Sequence, residues 1–179
     1  MTSSEKTPAK DLLAKAFRYL LSEKTFSKIN IEDITTSAGL SRQTFYRNFY
    51  DKYDALAYIY MMDIDSVIDD NTNDIRTVAA EVLQYFKEHA YIYKEMGCDF
   101  SNPNAFLTFW LEYNFQYMQR FIGKRKMTEE INIALQLWLH GCYYIHYQYM
   151  TNKIKGTSEE ISQLIIDTIP HILVPYFQL

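Results

Sequence analysis

The side chains best suited to chemistry stand in one short run, Ser41-Arg42-Gln43-Thr44-Phe45-Tyr46-Arg47-Asn48-Phe49, with Lys52 just beyond it. The chemistry they suit is recognition of a duplex. An Arg guanidinium matches the two acceptors on the guanine edge, and a Gln amide matches the acceptor and donor of adenine. Arg42 and Gln43 fall in the first turn of a predicted helix and point outward, and Thr44 can offer a methyl to thymine or a hydroxyl to phosphate. Tyr46 and Arg47 lie beside that outward face, within reach of a sugar–phosphate backbone. Lys52 opens the following helix, where its ammonium is expected to meet a phosphate directly. Phe45 and Phe49 are four apart and share the opposite face, which is left for packing. The candidate DNA-contacting set is therefore Asn30, Ser41, Arg42, Gln43, Thr44, Tyr46, Arg47 and Lys52.

Such a set needs a frame, and the punctuation around it supplies one. Thr7 reads as an N-cap with Pro8 at the first helical position, followed by an apolar stripe of Leu12, Leu13, Ala16, Phe17, Leu20 and Leu21 ending near Glu23. Asn30 caps a short second helix, Ile31 to Ala38, whose first turn carries Glu32 and Asp33 at its positive end. Gly39 is the left-handed stop, Ser41 caps a third helix, and Asp51 caps a fourth beginning at Lys52. Two helices of about eight residues joined by Ala38-Gly39-Leu40-Ser41 have the outline of a helix-turn-helix.

Beyond that head the chain reads as a series of longer helices. The fourth extends to about Ile68 and is broken by the polar stretch 69–74; the next carries Val78, Val82, Leu83, Phe86 and Ala90 on one face. Ser101-Asn102-Pro103 restarts a helix after the segment from Tyr91 to Gly97, and Gly123-Lys124-Arg125-Lys126 is a basic helix terminus. Thr128 caps a helix reaching about Asn152, Thr157 and Glu160 form a capping box for the last one, and Pro170 should kink or end it. The expectation is an all-α protein of about nine helices, with a three-helix head at 1–53 and a helical body at 54–179.

Charge follows the same division. Net charge is -4 overall, but residues 1–54 hold nine Lys/Arg against seven Asp/Glu, while residues 55–179 hold nine against fifteen. A mildly basic head on an acidic body fits a protein that touches a polyanion with one end. Met1 to Lys10 is polar, no apolar run reaches the roughly 18 residues needed to span a bilayer, and Cys98 and Cys142 suit a reduced compartment, so a cytoplasmic protein without membrane contact is expected. Asp63, Asp65, Asp69, Asp70 and Asp74 read as a solvated face, lacking the Gly and terminal Glu of a calcium loop. Cys142 and His146 share a helix face, but no further ligands join them, and no metal or cofactor is expected. A phosphate-cradling Gly loop, a nucleophile elbow and paired catalytic carboxylates are all missing, so no catalytic residues are assigned.

From about residue 10 to 56 the chain resembles the TetR family of bacterial regulators. The resemblance is carried by the Leu12–Leu21 helix, Ile31-Glu32-Asp33-Ile34-Thr35, Ala38-Gly39-Leu40-Ser41, Thr44-Phe45-Tyr46-Arg47-Asn48-Phe49, and Lys52 with Leu56. Arg47-Asn48 stands where the family more often has a small or His-containing filling, so base preference is not carried over. The last two helices are similar to those of a subgroup regulating dihydroxyacetone metabolism, through Trp138 and Gly141.

The resemblance implies a homodimer on a near-palindromic double-stranded operator, joined through the last two helices. The apolar stripes accommodate this: Leu135, Trp138, Leu139 and Cys142 on the eighth helix, and Ile161, Leu164, Ile165, Thr168 and Ile172 on the ninth. The aromatic content, with 16 Tyr, allows a cavity lined by Phe86, Trp110, Tyr113, Tyr117, Met118, Tyr143 and Tyr147, with His89, Glu112 and His146 as polar handles. The expected function is a ligand-responsive repressor; the alternative is an activator or scaffold controlled by a protein co-regulator docking on the body.

Overall fold

A computed structural model describes residues 8–68, 75–93, 105–123 and 126–177, and every regular element among them is helical. Nine α-helices are present among the described residues, as the punctuation led one to expect. The chain divides into two compact units, one ending at Asp63 and the other starting at Ile64.

The first unit begins with α1 (Ala9–Glu23). Pro8 is its N-cap, not its first residue: ψ of 142° keeps Pro8 extended, and its carbonyl accepts from the amides of Asp11 and Leu12. Leu13, Ala16, Phe17, Leu20 and Leu21 form the buried stripe, whereas Leu12 lies at its margin and faces solvent. A turn of 3-10 helix (Phe26–Lys28) leads to α2 (Ile31–Ala38). The Asn30 side chain accepts from the Asp33 amide and the Asp33 carboxylate accepts from the Asn30 amide, each at 2.9 Å. The second bond holds the Asp33 carboxyl below the ordinary carboxylate range, helped by Lys24 at 3.5 Å.

Gly39, at φ +65°, reverses the chain so that the amides of Gly39 and Leu40 return to the carbonyls of Thr36 and Thr35. Only a residue without a Cβ takes that conformation readily. Ser41 then caps α3 (Arg42–Asn48) by accepting from the Thr44 amide at 3.1 Å. Asp51 accepts from the amides of Tyr53 and Asp54 and starts α4 (Lys52–Val67).

Two side chains of α4 tie it back to α1. The Tyr58 hydroxyl donates to Asp11 at 2.7 Å, and Asp63 pairs with Arg18. Asp63 is thus buried and paired, not part of a solvated acidic face; Asp65 is exposed, and Asp69, Asp70 and Asp74 lie outside the described residues.

The second unit contains α5 (Ile75–Glu88), α6 (Ala90–Tyr93), α7 (Ala105–Ile122), α8 (Glu129–Met150) and α9 (Ser158–Asp167). Within it α5 packs on α9 and α8, and α7 packs on α8. Val78, Leu83 and Phe86 face the core as expected, while Ala90 starts a new helix. Thr128 caps α8, and Thr157 with Glu160 forms the capping box of α9. Lys87 donates to the Tyr149 carbonyl and to Asn152, each at 2.6 Å, placing a cation at the negative end of α8. Helix α9 stops at Asp167, before Pro170, and the chain continues through turns into a 3-10 turn at Val174–Tyr176. The expected cap at Thr7, the break at 69–74, the restart at Ser101-Asn102-Pro103 and the basic pair Lys124-Arg125 lie outside the described residues.

Removing one partner of a buried ion pair leaves the other charge desolvated. Arg18→Met should therefore lower the unfolding free energy of the first unit by about 2–3 kcal/mol, measured by urea titration.

Candidate nucleic-acid interface and cavity of the body

Helix α3 has one committed face. Phe45 and Phe49 are buried, their rings 5.5 Å apart, and Phe49 continues to Tyr58 at 5.6 Å. The Lys10 ammonium sits 4.2 Å from the centre of the Tyr58 ring and closes this cluster. Asn48 turns back to donate to the Thr44 carbonyl at 2.8 Å, which occupies its amide.

The opposite face is uncommitted. Arg42, Gln43 and Arg47 are exposed, and none of them makes a hydrogen bond or ion pair among the described residues. Tyr46 stands beside them, 54% exposed, its ring braced edge-on by Phe45. Ser41 and Thr44 share a hydroxyl–hydroxyl bond at 3.0 Å, so both are part of the cap as well as of the exposed rim. Asn30 is likewise a cap residue, exposed at the start of α2. Tyr50, absent from the sequence-derived set, is 86% exposed at the end of α3. Its position past the helix gave no periodic signal by which to single it out.

Lys52 departs from expectation. Its ammonium turns into the head, donating to the carbonyls of Phe26 and Ile29 at 3.1 and 3.3 Å, and lies 4.2 Å from the centre of the Phe26 ring. The Phe26 carbonyl already accepts from the Ile29 amide at 3.2 Å, and the first residue of α4 adds a second donor there and one to the Ile29 carbonyl. Lys52 is therefore a brace between elements and does not present a free cation.

The second unit contains a partly open cavity of about 90 Å³. Trp110, Tyr113, Tyr117 and Met118 of α7 line it, as expected. The other four candidates do not. Phe86 packs on Tyr93 at 4.7 Å, His89 stacks on Tyr85 at 4.1 Å, Tyr143 backs Trp110 at 5.4 Å, and Tyr147 lies under Lys153. In their place α8 contributes Trp138, Leu139, Cys142 and His146, and α9 contributes Ile165. Burial pushes the Cys142 thiol up to about 12, so it stays protonated, and pushes the His146 imidazole down to about 4, so it stays neutral. Glu112 instead borders a surface groove between α7 and α8.

Trp138, Leu139, Cys142 and Ile165 were expected at a dimer face. They are buried, as are Leu135 and Ile161, so these six side chains belong to the unit's own core. Trp138 is further fixed by its indole N–H, which reaches the Ile165 carbonyl and the Thr168 hydroxyl. Of the proposed interface only Leu164, Thr168 and Ile172 face outward, and Ile172 lies past the end of α9. The exposed apolar row of α8 is a different one, Ile133, Leu137 and Tyr144, with Leu137 71% exposed. It lies on the other side of the helix from the expected stripe, and because α8 is apolar on nearly all sides periodicity alone did not separate the two.

No family model matches the chain. Over 87 residues it is 29% identical to the HTH-type dhaKLM operon transcriptional activator DhaS of Lactococcus lactis subsp. lactis (strain IL1403). That match covers 48% of this chain and 46% of the relative, so it spans about half of each. Among solved structures, the dihydroxyacetone kinase operon activator DhaS superposes with a TM-score of 0.64 at 19% identity, over 97% of this chain and 100% of that one. A tetR-family transcriptional regulator from Streptomyces coelicolor superposes at 0.61 with 15% identity, over 98% of this chain and 85% of the other.

This chain carries the TetR-family fold. The fatty acid degradation regulator FadR from Bacillus halodurans shares it at a TM-score of 0.55 and 15% identity, over 94% of this chain and 100% of that one. In this TetR-type fold the cavity lies wholly within the unit that starts at Ile64, and no helix among the described residues is long and apolar enough to cross a membrane.

The depressed His146 value has a consequence for stability. Below about pH 6.5 the unfolded chain takes up a proton that the folded chain refuses until about pH 4, so stability falls as pH drops through that window. The loss should reach about 3 kcal/mol near pH 4. Urea titrations between pH 7.5 and 4.5 should give a shallower pH dependence for His146→Leu than for the parent chain.

Proposed function

We propose that this protein is a sequence-specific DNA-binding transcription regulator that works as a ligand-responsive homodimer. The observation that carries the reading is the exposed face of α3, where Arg42, Gln43, Tyr46 and Arg47 project from a rigid helix-turn-helix without partners to occupy Arg42, Gln43 or Arg47. Groups held in this way suit a major groove, while Ser41, Thr44, Asn30 and the exposed Tyr50 suit the flanking phosphates. The role of the Lactococcus relative as a helix-turn-helix transcriptional activator supports the same reading. Regulation by binding, without turnover, accounts for the chain, and a chromosomal target implies a cytoplasmic location.

Two copies are needed to read a near-palindromic operator. The surface offered for pairing is the row Leu137, Gly141 and Tyr144 of α8 beside Leu164 and Thr168, where Gly141 has open space above it. A bulky side chain from a second copy fits over that glycine. Ligand in the body then favours one head spacing over another, which sets operator affinity. The sign of control is read from a promoter fusion. The activator role of the relative favours a second reading, in which a protein co-regulator docks on the body and the DNA-bound dimer activates.

Anisotropy titrations with an operator recovered from bound genomic fragments test the head. Arg42→Ala and Gln43→Ala should each cost about 1–3 kcal/mol and relax base preference. Lys52→Ala should lower thermal stability and leave the salt dependence of binding unchanged, because its ammonium faces the head; if Arg42 and Gln43 prove silent, α3 is not the reading helix. Analytical ultracentrifugation tests the pairing surface: Leu137→Glu should convert the dimer to a folded monomer with operator affinity reduced more than tenfold, on the order of the 1.4 kcal/mol or more that such an interface contact supplies.

A further inference from the structure

The cavity of the body carries a more specific statement about its ligand. Among the described residues its lining, drawn from α5, α7, α8 and α9 with the end of α4, is largely apolar and aromatic and includes no Asp, Glu, Lys or Arg. Asp65 and Arg120 act on Tyr113 from outside the lining, with opposite sign. An anion or cation drawn into such a place loses its hydration and finds no counter-charge.

His146 is one polar group of that lining. His89 and His140 each use Nδ1 against the carbonyl four residues back, at 2.9 and 2.7 Å, as a helical His readily does. His146 makes no such bond, and neither of its ring nitrogens has a hydrogen-bond partner among the described residues. Its ring is held edge-on to Trp110 at 5.7 Å, facing the cavity. A neutral imidazole offers one donor and one acceptor, so it suits a hydroxyl or carbonyl and gives no ionic attraction. The free volume of about 90 Å³ holds roughly six to nine water-sized groups, the size of one ring or a short chain.

We infer that the cavity takes a small, uncharged, largely apolar ligand that makes one hydrogen bond to the His146 imidazole. This rests on the ligand-responsive reading above and names the chemical class of its effector. It also separates this site from one built for a phosphorylated or carboxylated metabolite, which the lining does not accommodate.

The chain contains two tryptophans, Trp110 and Trp138, and both line the cavity, so its intrinsic fluorescence reports occupancy. We would titrate the full-length protein at pH 7.5 with benzyl alcohol, toluene and benzoate, which share a ring and differ in polar group and charge. Benzyl alcohol should bind about five- to tenfold more tightly than toluene, the value of one hydrogen bond, and benzoate should be the weakest. His146→Leu should abolish the preference for benzyl alcohol over toluene, and His146→Gln, which keeps a donor and an acceptor, should retain it. Circular dichroism confirms that both variants are folded, and the Gln variant serves if the Leu variant is not.

Benzoate binding as tightly as benzyl alcohol, a preference that survives in His146→Leu, or no fluorescence response to any probe overturns the inference. Operator anisotropy in the same samples separates it from the reading beneath it. If the probes bind in the expected order and operator affinity never responds, the ligand-responsive reading fails and the cavity assignment stands.

Discussion

A helix of seven residues has no stability of its own in water, and α3 exists only because Phe45 and Phe49 are buried against the rest of the head. That single burial determines the outward face. With a repeat of 3.6 residues, fixing positions 45 and 49 inward forces Arg42, Gln43, Tyr46 and Arg47 toward solvent. The rest of the head is built to hold this orientation. Ser41 satisfies the first free amide, Gly39 sets the angle from α2, and Tyr58 carries the aromatic contact onward to α4. Charges join the same scheme: Lys10 and Lys52 lie over aromatic rings, and Arg18 pairs with buried Asp63. Three of the head's nine basic side chains thus belong to its internal architecture.

The body follows a different constraint. Its helices meet through large flat rings, Phe86 with Tyr93 and Trp110 with Tyr143, and further ring pairs, Tyr85 with His89 and Tyr117 with Phe121, lie one turn apart along the chain. Rigid rings fill space in slabs and do not collapse into small gaps as Leu or Met does. Space between Trp110, Trp138 and Tyr117 therefore remains open, with His146 on its wall. The exposed apolar row on α8 sits on the other side of the same helix, so one element separates the cavity from the surface offered to a second copy.

The features legible in the sequence were those whose partners lie within four or five residues. Asn30, Ser41, Asp51, Thr128 and Thr157 were each readable as caps because the cap bond closes on a neighbouring amide, and Gly39 because its φ is a local demand. The errors share a reason. Lys52, Asp63 and the α8 stripe all depend on groups 20 or more residues away, or on which of two apolar rows meets the core. A helix with apolar residues on nearly all sides, as α8 is, carries no periodic contrast to decide that choice.

The sequence by itself determined the helical plan, the head and the identity of its outward residues, because capping, turn geometry and a 3.6-residue repeat are short-range physics. Only the tertiary structure decided which charges are free and which are consumed. It turned the Lys52 ammonium inward onto two backbone carbonyls, sank Asp63 beneath Arg18, and moved Trp138, Cys142 and Ile165 from an expected interface to a cavity wall. Each of those outcomes depends on where a distant helix lies, and an ammonium, a carboxylate or an indole is oriented by whatever that neighbour leaves unsatisfied.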